Sequence, residues 1–151
     1  MTNGAIVFRE AIGADVPGIT RVRTSVVENL LTVQQLDERG ITEAGIAASF
    51  LADSKGWVAL QGEEVVAFSI ADRATQSIFA LFVLPAYEGR GIGSVLLDSA
   101  LRWLWDNGAE RVWLTTGPGT KAVRFYEKRG WKCTGKGPRG DLRYECERRS
   151  S

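Results

Sequence analysis

The 151-residue sequence contains no histidine. That absence rules out Ser-His-Asp and Cys-His nucleophile systems and the histidine-rich sites that commonly hold zinc, and no metal site is expected. Cysteine occurs twice, at Cys133 and Cys146, too few for a disulfide framework, so both read as buried or edge thiols. No apolar run approaches the roughly 18 residues that a membrane-spanning helix needs, so no membrane partner is expected. Charge of either sign is also not in excess, with 19 Lys plus Arg against 18 Asp plus Glu. A nucleic-acid partner is therefore not expected, since such binders usually carry a basic surplus or stripe. The basic pair Arg148-Arg149 reads as a solvated tail. Met1 to Gly4 leads straight into a strand-like run with no signal-peptide core, and a cytoplasmic location is the expectation.

What is present has the proportions of an ordinary globular domain, 44% apolar and 25% charged. The length suits one sizeable core, and residues 1–151 are expected to form a single domain. Ile6 to Ala11 reads as a strand. Asp15 is placed to cap a helix in which Val16, Ile19, Val22 and Val26 recur at helical spacing. Asn29 to Thr42 reads as loop, followed by a short helix from about Thr42 to Leu51. Trp57 to Leu60 and Val65 to Ala71 flank a turn at 61–64 and predict a hairpin. Ser77 to Leu84 is a buried-looking strand stopped by Pro85.

A strong helix follows. Leu96, Leu97, Ala100, Leu101 and Leu104 form its apolar stripe, with Trp103 and Trp105 at the edges and Asp98, Arg102 and Asp106 opposite. Gly108 is its natural stop. Arg111 to Thr115 is a further strand, Thr120 is placed to cap a last helix through Arg129, and Gly130 ends it. Trp131 to Thr134 and Asp141 to Cys146 close the chain as strands. This order predicts an α/β fold with a mixed, mostly antiparallel central sheet of about six to seven strands flanked by helices.

The most informative segment lies between a strand and the strong helix: Tyr87-Glu88-Gly89-Arg90-Gly91-Ile92-Gly93-Ser94. Glycines let backbone N–H groups approach a ligand closely, and a helix start leaves unpaired donors and a partial positive charge. Phosphate or pyrophosphate suits that geometry. A P-loop would need Gly-Lys-Ser/Thr, but Gly93 is followed by Ser94 and Val95. A dinucleotide fingerprint would need G-x-G-x-x-G, but Gly89, Gly91 and Gly93 are spaced two and two.

The turn resembles the acetyl-coenzyme A signature of the GNAT superfamily of N-acetyltransferases, Gln/Arg-x-x-Gly-x-Gly/Ala, with Glu88 in its first position and Gly91 and Gly93 as its glycines. The likeness extends through ALFVLPAYEGRGIGSVLL and to TKAVRFYEKRGW, from Thr120 to Trp131. The resemblance implies a GNAT fold and acetyl-coenzyme A as cosubstrate. It implies that the backbone of Phe82 and Val83 pairs with the pantetheine arm. It further implies that Glu88, Gly89, Arg90, Gly91, Ile92, Gly93 and Ser94 surround the pyrophosphate, in a gap where the strand ending near Val83 splays from the strand around Trp113. Two positions depart from the family pattern. Glu88 stands where a neutral or positive residue is usual, so its side chain is expected to turn away or pair with Arg90. Gly119 stands where many members carry asparagine.

Acetyl transfer to an amine needs a neutral amine and a proton for the departing thiolate. Tyr126 is the candidate catalytic residue: in the resembling family, the tyrosine of the Phe-Tyr-Glu-Lys run commonly contacts the coenzyme sulfur. Ala122, Phe125 and Tyr126 also fit an apolar helix face, and Phe125 reads as core. Glu28, Asp72 and Glu145 are carboxylates that could serve as base, with a water chain as the alternative. The expected acceptor is an amine of a small molecule or peptide. Two other readings stay open at this point: a coenzyme-binding sensor without turnover, and a nucleotide-phosphate binder of another fold. Tryptophans that read as exposed are compatible with a homodimer.

Overall fold

Glu64–Asp72 and Ser77–Val83 carry the most continuous apolar sequence of any strands, and they sit mid-sheet, where both faces are covered. The computed structural model describes residues 5–25, 33–38, 40–138 and 140–148. Its strands are β1 (Val7–Glu10), β2 (Ser54–Gln61), β3 (Glu64–Asp72), β4 (Ser77–Val83), β5 (Arg111–Thr116), β6 (Lys132–Lys136) and β7 (Leu142–Glu147). The helices are α1 (Val16–Arg23), α2 (Val33–Glu38), α3 (Glu43–Ser49), α4 (Ile92–Asp106) and α5 (Lys121–Lys128). One seven-stranded sheet runs β1-β2-β3-β4-β5-β7-β6. Every neighbouring pair is antiparallel except β4 and β5. The expected mixed, mostly antiparallel sheet is found.

Helices cover both faces. Ile19 and Val22 of α1, with Ile46 and Phe50 from α3 and its end, pack on Val58, Phe68 and Ile70. On the other face, Leu97, Ala100 and Leu104 of α4 and Tyr126 of α5 close over Val112, Leu114 and Tyr144. The stripe read from the sequence is the buried face of α4, and Asp98, Arg102 and Asp106 are exposed. Trp103 and Trp105 are half-buried, and Trp103 meets Trp57 edge-on at 6.0 Å.

Several local expectations change. The stretch expected as loop contains α2. Val26 and Arg149 lie outside the described residues. Asp15 does stand before α1, but its carboxylate does not cap it. It accepts from Arg9 Nη1 and Nη2 at 2.7 and 2.8 Å and from the Ile12 N–H at 2.8 Å, fastening β1 to the helix start. Thr120 precedes α5, but its hydroxyl donates to the Gly117 carbonyl at 2.9 Å instead of capping the helix. Thr42 does cap α3, accepting from the Gly45 N–H at 3.0 Å.

The end of α5 is tightly specified. The Trp131 N–H donates to the Tyr126 carbonyl at 3.1 Å and the Gly130 N–H to that of Glu127 at 3.1 Å. This is a Schellman closure, and it needs a left-handed residue after the cap, which Gly130 supplies at φ +85°. The accompanying apolar contact is present, with the Trp131 and Tyr126 rings 5.4 Å apart.

Candidate functional site

β4 and β5 are parallel neighbours with one register pair among the described residues, Ser77 with Trp113. Two further contacts pin that apex: Trp113 N–H to the Gln76 carbonyl at 3.2 Å, and Trp113 Nε1–H to the Thr75 carbonyl at 2.9 Å. Past it the strands separate. A β-bulge adds to the bend, because Ile70 pairs with Ala80 and Ala71 with Ile78, leaving Phe79 unpaired. The opening is a cleft of about 790 Å³, lined by β4, the glycine turn, the end of β5 and one face of α5.

Strand geometry decides which β4 backbone groups face the cleft. Phe82 lies opposite Phe68, and the Leu84 N–H donates to the Val66 carbonyl at 2.9 Å. Main-chain polar groups alternate along a strand, so Ala80, Phe82 and Leu84 bond back to β3. Leu81 and Val83 turn theirs to the open edge. Of the two residues expected to offer backbone there, Val83 does so and Phe82 does not. Leu81, which was not expected there from the sequence, is the other residue whose backbone faces the opening. The Phe82 side chain instead faces α1, with the Arg23 guanidinium 4.4 Å above its ring.

The turn is built as a set of donors. Gly91 is the N-cap of α4 at φ +79°, a left-handed conformation that side chains other than glycine adopt at a cost. No side chain caps the helix, and its first turn carries no acidic residue. The first helical bond reaching back to the turn runs from the Val95 N–H to the Gly91 carbonyl at 3.2 Å. The six consecutive N–H groups from Gly89 to Ser94 therefore find no acceptor among the described residues. Such a concave run at a helix start, with the helix dipole behind it, suits an anion of phosphate type.

Glu88, Gly89, Gly91, Ile92, Gly93 and Ser94 line the cleft with Phe82 and Val83. Ile92 contributes backbone, since its side chain is buried against Leu96. Arg90 does not line the cleft. Its guanidinium sits 5.1 Å from the Tyr87 ring centroid, and the Tyr87 hydroxyl donates to Gln61 Oε1. Glu88 does not pair with Arg90. Its carboxylate lies 3.3 Å from Lys121 Nζ, joining the turn to the start of α5 across the mouth.

Tyr126 combines a buried ring with an available hydroxyl. The residue is 5% exposed and packs against Phe125 at 5.2 Å and Trp131 at 5.4 Å. The hydroxyl makes no hydrogen bond among the described residues, where every fully buried side-chain N or O atom has a partner. It therefore lies at the cleft surface. Burial pushes its pKa well above the ordinary phenol value, and the nearby Arg129 opposes the rise. Phe125, read as core from the sequence, is half-buried and also forms cleft wall.

None of the described carboxylates considered as base enters the cleft. Asp72 accepts from Ser54 Oγ and the Ala74 and Thr75 N–H groups, which holds the β3–β4 turn. Glu145 is committed to Thr134, Arg143 and Arg111, and these partners hold its pKa below the usual range. Glu28 lies outside the described residues. Leu81, Thr115, Thr116, Thr120 and Lys121 also line the cleft, and none of them is a site residue expected from the sequence. The position of Lys121, at the first turn of a helix whose motif was recognised, was a usable signal. The others depend on the splay. Among the described residues no group of His, Cys, Asp and Glu could hold a metal ion, and no helix is long and apolar enough to cross a membrane.

Comparison with known proteins agrees with this geometry. The sequence model described as the Acetyltransferase (GNAT) family matches residues 27–131. A protein of Prochlorococcus marinus, named as an uncharacterized N-acetyltransferase ycf52-like, is 37% identical over 56% of this chain and 41% of its own length. The peptidyl-lysine N-acetyltransferase YjaB of Salmonella typhimurium is 34% identical over 64% of this chain and 63% of its own. The chain thus spans about half the length of these curated relatives. In three dimensions it is similar to the PaiA N-acetyltransferase of Thermoplasma acidophilum, solved in complex with coenzyme A. That likeness has a TM-score of 0.81 over 95% of this chain and 99% of the other at 15% identity, and it concerns the fold.

Proposed function

Because the chain belongs to the acetyltransferase (GNAT) family, we propose that it transfers an acetyl group from acetyl-coenzyme A to an amine of a small molecule or peptide. One observation carries the reading: a run of N–H groups from Gly89 to Ser94, without an acceptor among the described residues, ends a cleft whose side is the open edge of β4. The first suits the coenzyme's diphosphate, and the second suits the amide-bearing pantetheine arm, which Leu81 and Val83 would hold as an added strand does. Acetyl-coenzyme A supplies the activated acyl thioester.

The chain's own residues bind, orient and handle one proton. Tyr126 presents its hydroxyl to the cleft and supports the negative charge that develops on the departing sulfur. Ordinary phenol and thiol pKa values differ by about 1.5 units, so complete proton transfer to a thiolate costs about 2 kcal/mol, and burial of Tyr126 adds to that. Its main contribution is accordingly a hydrogen bond that strengthens as charge grows, with transfer completed as the product departs and Tyr126 regaining its proton from water. The amine reacts as the free base, giving its proton to water on the solvent side. The likeness to a peptidyl-lysine enzyme makes a lysine side chain in a peptide the first acceptor to test.

The test is calorimetric titration with coenzyme A and acetyl-coenzyme A, followed by thiol release against a panel of peptide and small-molecule amines. Binding of both, with amine-dependent thiol release, is the expected outcome. Binding without release under any amine makes the chain a coenzyme sensor. Equal binding of adenine nucleotides lacking pantetheine overturns the role given to β4.

A further inference from the structure

Resting on that reading, we infer that Arg129 is a positioning residue that fastens the diphosphate-binding turn to the helix carrying Tyr126. Arg129 caps α5, and its own N–H donates to the Tyr126 carbonyl at 3.0 Å. Its half-buried side chain leaves α5 and reaches the first turns of α4. Nη2 donates to Ser94 Oγ, Nη1 stands 3.6 Å from Asp98 Oδ1, and the guanidinium carbon lies 4.7 Å from the Phe125 ring centroid. Phe125 in turn faces Gly93, where an added Cβ would stand 3.8 Å from Cζ of the ring. Arginine, ring and glycine form one stack joining the start of α4 to the end of α5.

The residue type fits this task. A guanidinium offers N–H groups in fixed directions and a flat face for an aromatic ring, whereas an ammonium is a point charge. Its placement is informative because a cation beside a helix N-terminus opposes the helix dipole. The first turn of α4 holds no acidic residue to offset it, and Asp98, one turn on, has a side chain 69% exposed. An anion at the Gly89–Ser94 donors converts that adverse arrangement into a favourable one. Through Ser94 and Phe125, the same side chain then sets where Tyr126 stands relative to the bound diphosphate.

The variants Arg129→Met, Arg129→Lys and Ser94→Ala test this, with coenzyme A titration and turnover at saturating acetyl-coenzyme A. Arg129→Met should weaken coenzyme A by about tenfold or more and lower kcat by about fivefold or more, since it removes both charge and fork. Arg129→Lys should recover most of the affinity and little of the kcat, because the charge returns without the fork. Ser94→Ala should lower kcat with affinity nearly kept. A folded Arg129→Met with both constants within about twofold of wild type overturns the inference. Should that variant fail to fold, an Arg129→Lys protein with wild-type kcat overturns it equally. Wild-type protein that binds no coenzyme A would instead refute the proposed function, which keeps the two failures apart.

Discussion

Tyr126→Phe is the substitution whose effect on turnover and on stability should separate most widely. The ring packs against Phe125, Trp131 and Tyr144, and phenylalanine preserves all of that. The hydroxyl has no partner among the described residues, so its loss orphans none of them, and stability should move by less than about 0.5 kcal/mol. Loss of one hydrogen-bond donor to developing charge typically costs ~10²–10³-fold in kcat, about 2.7–4 kcal/mol. The raised pKa of Tyr126 favours the lower end, near ~10²-fold, because the hydroxyl donates more than it transfers. The pH dependence has a definite sign. Since burial keeps the hydroxyl protonated beyond the ordinary phenol range near ~10, wild-type kcat should show no Tyr126 limb below about pH 10. The variant should be slower by a constant factor from about pH 6 to 9. The assay is turnover with any accepted amine, beside coenzyme A binding by calorimetry and a thermal melt. Turnover within twofold of wild type would refute the role. So would a fall matched by equal loss of affinity, which marks a binding residue.

Three further outcomes follow from the geometry. Gly91→Val places a β-branched residue at φ +79° in open space, so the cost is backbone strain of about 1–3 kcal/mol with no clash, and coenzyme A affinity should collapse in a protein that still folds. Unchanged affinity in the folded variant would remove the turn from the site. Glu88→Gln should change affinity by less than tenfold, since the carboxylate is exposed and turned to Lys121; a gain of tenfold, about 1.4 kcal/mol, would place it against the diphosphate. Asp15 is held by Arg9 below its unfolded pKa, so its stabilisation is complete above about pH 4 and disappears as pH falls through the folded value. Arg9 is 43% exposed, which limits the pair to about 1–2 kcal/mol. Urea melts of Asp15→Asn should show that deficit at pH 7 and a smaller one at pH 3, and an equal deficit at both would exclude the ion pair as its origin.

Features fixed by neighbouring residues were readable in the chain. The α4 stripe, the Gly108 and Gly130 stops and the donor-rich turn at Gly89–Ser94 each depend on a dozen residues or fewer. The cleft itself is not local. It exists because β5 follows α4 and returns parallel to β4, and because Phe79 is the odd residue in a bulge defined by β3. Without that register, Phe82 and Val83 look equivalent, although one faces β3 and the other the opening. Side-chain partners failed for a related reason. Asp15 and Thr120 occupy capping positions by sequence, but Arg9 and Gly117 compete for the same atoms and win. Glu88 likewise meets Lys121, 33 residues away, before it meets Arg90.

A comparison of two tyrosines shows why the proposed role falls to Tyr126 and not to its neighbour. Tyr126 and Tyr144 belong to the same core cluster, their ring centroids 6.5 Å apart. Burial raises both pKa values, that of Tyr144 to about 12. Residue type, packing and direction of shift are thus shared, and none of them separates the pair. The hydroxyl does. Tyr144 donates to Glu127 Oε2 at 2.9 Å, which fixes the rotor and uses the proton for structure. Tyr126 has no such acceptor among the described residues, and it is the one of the two that lines the cleft. An uncommitted hydroxyl on a fixed ring costs little to orient when charge appears beside it, which is the condition for stabilising a transition state more than a ground state.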